Sequence, residues 1–426
     1  MPAAYDNIFD GAPWVSLILL VVSGVSVVLQ RPSLVARSIA FSFASWLAPL
    51  FYVSYMVSVG RSSSAIALAT LVDTVLLVVY YLLFKRLVLI VANPTSLDSG
   101  TLMKYLKSSI VVVVVLAVPL AFQGGAGIFS ATDSRIDYLA DSKWNPYLVY
   151  GSLLVQAVMI PVIASLVNRE KRWNRYVIIY LVFTSTLSVL SGSKGASILS
   201  FLAILSLVKF PESSDYFKVL RLPILGILSV FGCTVYFVGR FMALDAMQIS
   251  SQMLSRIFLS NDARALAIDW SPHINQRGFS LFREAFRGYA SLLGSKPMNP
   301  PLGQYLYMEQ FHATGMIGAN TSTSALLIAY GGEFEKVAFA LVVCLIAGCV
   351  YFLAHYRSRY SIVTGGTAMF LLSLLSQDFL AFQLAVHILI VAAIILASVV
   401  AGRHLLVGAC KSAHKEVLGC LILKSR

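Results

Sequence analysis

The chain has 426 residues, 58% of them hydrophobic and 12% charged, roughly half the charge density of a soluble domain. That balance excludes a large water-soluble enzyme. The net charge of +13 does not point to nucleic acid either, because the basic residues sit in short segments between apolar runs, where a membrane protein carries its topological charges.

In chain order, continuous apolar runs predict transmembrane helices over about 13–30, 38–59, 65–84, 105–122, 146–167, 176–191, 196–209, 220–238, 336–354, 361–377 and 379–400. The runs do not alternate, so helices and not barrel strands satisfy the backbone in lipid. The expected fold class is therefore an all-α integral membrane protein with about eleven transmembrane helices. Before the first run stand Asp6 and Asp10 and no basic residue, the wrong charge for a cleavable signal. The cysteines fall in apolar runs (Cys233, Cys344, Cys349) or the basic tail (Cys410, Cys420), so no disulfide framework is expected.

Orientation follows from Lys and Arg. One set of alternate segments holds Arg31, Arg37, Lys85, Arg86, Lys104, Lys107, Arg169, Lys171, Arg172, Arg175, Lys209, Lys218, Arg221, Arg357, Arg359 and the tail from Arg403 to Arg426. The opposite short segments hold Arg61, Arg135, Lys143 and Lys194. The positive-inside rule then places the N-terminus outside and the C-terminus in the cytoplasm. The organisation reads as an N-terminal bundle of about eight spans (1–238), a large external loop (239–335), C-terminal spans (336–401) and a basic tail (402–426).

A loop of that length is functional or disordered, and its aromatic and Leu content predicts a folded one. Phe279, Phe282, Phe286, Tyr289, Ala290 and Leu293 recur at helical spacing, with Arg283 and Arg287 on one side. That pattern suits an amphipathic helix lying in the interface. His273 follows Pro272 in an expected turn. After the proline-rich stretch 294–303, Asn320-Thr321-Ser322-Thr323-Ser324 leads an apolar run to Tyr330 and Gly331-Gly332. Ser and Thr can cap a helix there, and about eight apolar residues are too few to span. A short re-entrant or buried helix is expected.

Five groups could carry chemistry. Ser191-Gly192-Ser193-Lys194-Gly195 joins two short spans and puts a cation among small residues, suited to a lipid phosphate or to a topological turn. The loop arginines Arg240, Arg256, Arg264, Arg277, Arg283 and Arg287 suit bidentate phosphate recognition, or pair with Asp245, Asp262, Asp269 and Glu284. His312, with Glu309 near it in sequence, is a candidate general base. Asp133, Asp137 and Asp141 share one face if helical and could hold a divalent cation, with Arg135 and Lys143 competing for them. Asp73 and His387 lie inside spans, as a proton relay or as hydrogen-bonded packing residues. No nucleotide-binding loop, Rossmann fingerprint or Cys/His zinc cluster is present in the sequence, so no metal or other cofactor is expected.

The whole-chain layout, the Ser191–Gly195 turn, the arginine-rich loop and the segment from Asn320 to Gly332 together resemble O-antigen polymerases of the Wzy type, within the wider group that includes O-antigen ligases. Two departures stand out: the basic residue of the turn is Lys194 where many relatives have arginine, and eleven spans are read where many have twelve. The resemblance implies a glycosyltransferase of the bacterial inner membrane with a large periplasmic loop, acting in lipopolysaccharide biosynthesis. It would move a growing glycan from undecaprenyl diphosphate to a new lipid-linked repeat unit. Lys194, Arg240, Arg264, Arg277, Arg283, Arg287 and Asn320 would bind the diphosphate substrate, and His312 or Glu309 would act as base. The implied partners are the undecaprenyl diphosphate-linked oligosaccharide, the bilayer and, as an open question, a chain-length regulator; nucleic acid is not among them.

The alternatives are an O-antigen ligase, which shares the donor, a transporter or flippase of lipid-linked oligosaccharide, and a purely structural membrane protein. Ala319-Asn320 lacks the adjacent histidine expected of a ligase. A transporter should show inverted repeats, and none is seen; Asp73 and His387 keep that reading open.

Overall fold

The computed structural model describes residues 64–92, 98–122, 145–170, 173–190, 203–208, 262–276, 280–287, 300–311, 322–355, 361–395 and a few isolated positions between 200 and 398. Nearly all of this is helix, and there is no strand among the described residues. The expected spans at 13–30 and 38–59, most of 220–238 and the tail lie outside the described residues.

Among the described residues, four helices are long and apolar enough to cross a membrane: α1 (Ser64–Ala92), α2 (Ser99–Phe122), α3 (Asn145–Glu170) and, late in the chain, Glu333–His355. Shorter apolar helices are α4 (Arg175–Leu190), Ser361–Gln377 and Phe379–Ile395. Between α4 and Glu333 stand α5 (Asp262–Gln276), α6 (Leu281–Ala285), α7 (Leu302–Phe311) and α8 (Thr323–Ala329). Among the described residues there follow α9 (Glu333–His355), α10 (Ser361–Gln377) and α11 (Phe379–Ile395).

The outer faces identify the solvent. On α1 the exposed side chains include Leu71, Val78, Leu82 and Leu89; on α9 they include Phe334, Val337, Leu341, Leu345 and Phe352. A helix in water turns charge outward, and an apolar stripe of this extent belongs against lipid. The fold is that of a helical membrane protein.

α1 runs past its predicted end at 84 by another eight positions, to Ala92. Lys85 and Arg86 therefore lie within the helix and do not end it. Arg86 Nη2 donates to the His355 carbonyl at 3.1 Å, tying the C-terminal ends of α1 and α9 together. α2 likewise starts at Ser99 instead of 105, because Asp98 Oδ1 accepts from the Thr101 amide at 2.8 Å and caps it. A hydrogen bond from the Thr101 side chain first, and this amide bond second, hold the exposed Asp98 carboxyl below its usual pKa. Asn174 does the same for α4, accepting from the Tyr176 amide at 3.0 Å. Asn168 of α3 donates to the carbonyls of Val91 and Leu207, closing a junction of three segments.

α1 is the hub. It packs against α3, α8, α9 and α10, while α3 also packs on α2 and α10. The crossing of α10 and α3 is set by one proline and one glycine. Pro161 has no N–H to offer the Ala157 carbonyl. A Cβ at Gly366 would meet that same carbonyl oxygen at 2.9 Å and Pro161 Cγ at 3.1 Å. Only glycine lets α10 approach the freed carbonyl so closely.

Candidate functional site

Of the segment 239–335, the described helices α5, α6 and α8 pack on one another or on the long apolar helices. α8 packs against α1, α5, α9 and α10, and α6 against α9 and α8. α8 is the short buried helix that the Asn320–Tyr330 pattern predicts: all seven of its residues are buried. Its polar leader explains how apolar surroundings tolerate it. Ser322 Oγ accepts from the Ala325 amide at 3.1 Å as N-cap. Thr323 Oγ donates to the Leu375 carbonyl of α10. Ser324 Oγ donates to Asp73 Oδ2 at 2.6 Å on α1. Three successive hydroxyls thus bind three different helices, and each removes a buried unsatisfied group.

Asp73 has a second partner. Arg264, on α5, places Nη2 3.2 Å from Asp73 Oδ1 and 3.2 Å from Oδ2. Arg264 is 1% exposed and Asp73 3%. Of the two options weighed for Asp73, the geometry is that of a hydrogen-bonded packing residue. Arg264 meets it from α5 with its guanidinium. Asp73 lies about 13 Å along α1 from Ser64 at 1.5 Å per residue, so α5 and α8 reach well down the bundle.

A second polar cluster sits on α6. Glu284 is buried, and Arg287 Nη1 lies 3.6 Å from its Oε2. Tyr330 is buried near this pair, and burial first, with Glu284 second, pushes its pKa far above the phenol range. It stays a protonated donor. Arg283 points out and is exposed; no described residue pairs with it. The face opposite is aromatic: Phe282 meets Phe339 edge-on at 5.9 Å, Phe286 meets Phe379 at 5.5 Å, and Phe339 and Phe379 touch at 5.2 Å. Gln383 donates to the Ala285 carbonyl. The interfacial amphipathic helix expected over 279–293 is thus, in its described part, a five-residue helix whose phenylalanines pack on spans instead of lipid.

Two carboxylates hold the entry to α9. Ser64 Oγ donates to Glu333 Oε1 at 3.0 Å, and the buried Lys336 pairs with the same oxygen at 3.4 Å. Glu335 accepts from Ser280 Oγ at 3.0 Å and from the Leu281 amide at 3.1 Å. Both carboxylates also lie in the first turn of α9, where the helix dipole favours negative charge.

Glu309 is half-buried on α7. Lys194, Arg240, Arg256, Arg277, His312 and Asn320 lie outside the described residues, as do Asp133, Asp137 and Asp141. His387 is half-buried, its ring 5.9 Å from that of Tyr147. His273 is exposed beside Trp270 and lies in the last turn of α5, not in a turn after Pro272. The helix survives Pro272 because Ser271 Oγ donates to the Ile268 carbonyl at 3.3 Å, the acceptor that a residue with an N–H at 272 would have used.

No protein-family model, no curated protein and no solved structure matches the chain.

Proposed function

We propose that the chain is an O-antigen polymerase of the bacterial inner membrane, a glycosyltransferase using a lipid-diphosphate donor at the periplasmic face. The observation that carries the reading is Arg283, an exposed cation on α6, which packs on α8 and α9, with Arg287 one turn on and paired to Glu284. The charge bias puts this end of α9 outside. A lipid diphosphate at the outer leaflet would meet guanidinium groups held on a packed aromatic floor.

In the proposed reaction the acceptor hydroxyl of a lipid-linked repeat unit attacks the anomeric carbon of the growing glycan. The bond from that carbon to the diphosphate oxygen breaks, and undecaprenyl diphosphate leaves with the electron pair. The acceptor proton passes to a base, His312 or Glu309. Arg283 and Arg287, with Lys194, Arg240, Arg277 and Asn320 from outside the described residues, would stabilise the charge developing on the leaving group. Arg264 we assign to the scaffold, because Asp73 takes up its guanidinium.

The test is a reaction of purified protein with a lipid-diphosphate oligosaccharide repeat, with and without EDTA, resolved on a gel. A ladder spaced by one repeat, unchanged by EDTA, is expected. A ladder lost in EDTA would bring Asp133, Asp137 and Asp141 back as a cation site. Transfer only to lipid A–core would make the chain a ligase. No transfer to any acceptor would overturn the enzyme reading and favour a transporter.

A further inference from the structure

Glu335 belongs to α9, yet its two hydrogen bonds go to residues 55 and 54 positions earlier, Ser280 and Leu281. Those two residues open α6, the helix that carries Arg283. Ser280 stands at the N-cap of α6 with extended backbone and makes no side-chain cap of its own. Glu335 supplies what it lacks, accepting the Leu281 amide on Oε2 and the Ser280 hydroxyl on Oε1. The glycine turn between α8 and α9 allows the approach. Gly331 has φ of +82°, and a Cβ there would meet Glu335 Oε2 at 2.8 Å and Leu281 Cβ at 3.2 Å. Any other residue at 331 is strained by its backbone and pressed on both partners of the clamp.

We propose that Glu335 is a positioning residue: it clamps the start of α6 to the rigid first turn of α9 and so fixes the direction in which Arg283 meets the lipid diphosphate. This rests on the polymerase reading above and deepens it. The clamp has one anchored and one short partner. α9 is a span of 23 residues set in the bundle, while α6 has five residues and cannot hold its own geometry. Glu335 touches no substrate in this account; it acts through α6. A catalytic cation needs placement to within about an ångström, and the paired bonds to a backbone amide and a hydroxyl supply it.

The experiment uses the full chain in vesicles with two readouts: hydrogen exchange at the Leu281 amide, and kcat and KM on a lipid-diphosphate oligosaccharide repeat. In Glu335→Ala the amide should lose protection, and kcat should fall roughly tenfold to a hundredfold with KM changed much less. Adding Arg283→Ala to Glu335→Ala should cost little more, because both changes remove one oriented cation. Glu335→Gln, which keeps one acceptor oxygen, should fall between wild type and Glu335→Ala and covers the case where Glu335→Ala does not insert. Unchanged Leu281 protection overturns the clamp, and so do losses from Glu335→Ala and Arg283→Ala that simply multiply. Lost protection in a protein whose wild type makes no polymer overturns the polymerase reading and leaves the clamp as a structural fact.

Discussion

Arg264 and Asp73 stand 191 positions apart in sequence and meet in the interior of the bundle, Nη2 to Oδ2 at 3.2 Å. The pair joins α5 to α1, and Ser324 brings α8 to the same carboxylate. Breaking a buried pair leaves an uncompensated charge, which typically costs about 3–5 kcal/mol. Asp73→Ala and Arg264→Ala should each lower the thermal midpoint of the detergent-solubilised protein sharply. Asp73→Leu combined with Arg264→Met should recover most of the loss, since apolar replacement of both partners removes the stranded charge. A midpoint unmoved by either single change would mean the pair does not hold α5.

Gly366 and Gly151 form a matched comparison. Gly366→Leu forces a side chain against the Ala157 carbonyl and Pro161, and should destabilise by about 1–3 kcal/mol. A Cβ at Gly151 has open space around it, and Gly151→Ala within α3 should be neutral or stabilising by up to about 1 kcal/mol. Unfolding midpoints of the two variants should move in different directions. A Gly366→Leu midpoint that rises like that of Gly151→Ala would mean that helix propensity, not the α10–α3 crossing, governs both sites.

Cys349 reports on the lipid face. It is exposed on α9 among Leu341, Leu345 and Phe352. In a variant keeping Cys349 as its one cysteine, reconstituted in vesicles, an apolar maleimide should label it and a charged thiol reagent should not. Rapid labelling by the charged reagent would place that face in water.

Much of the helix content is readable from the sequence, because a bilayer leaves the backbone few choices. The apolar runs at 146–167, 176–191, 336–354 and 361–377 match helices to within a few residues. Ends are less legible: Lys85 and Arg86 suggest a stop that α1 ignores, and Pro272 suggests a turn that Ser271 repairs. The short α8 is visible from its Ser/Thr leader and the Gly331-Gly332 stop. Its partners are not. That Thr323 binds α10 and Ser324 binds α1 depends on tertiary neighbours that local pattern does not encode. The same holds for Glu335, whose partners lie in a segment that by pattern faces lipid. Glu284 is readable as an acid near arginines, and Arg287 is the one it pairs with.

The central claim is that a cation presented by the docked loop drives transfer from the lipid diphosphate. Arg283 tests it more cleanly than Arg287, whose removal would strand the buried Glu284. The measurement is polymer ladder formation by wild type and Arg283→Ala inserted at equal levels in vesicles. Loss of one preorganised donor to the leaving group should slow turnover roughly a hundredfold and collapse the ladder to its shortest members. A ladder of wild-type length and rate from Arg283→Ala would contradict the account.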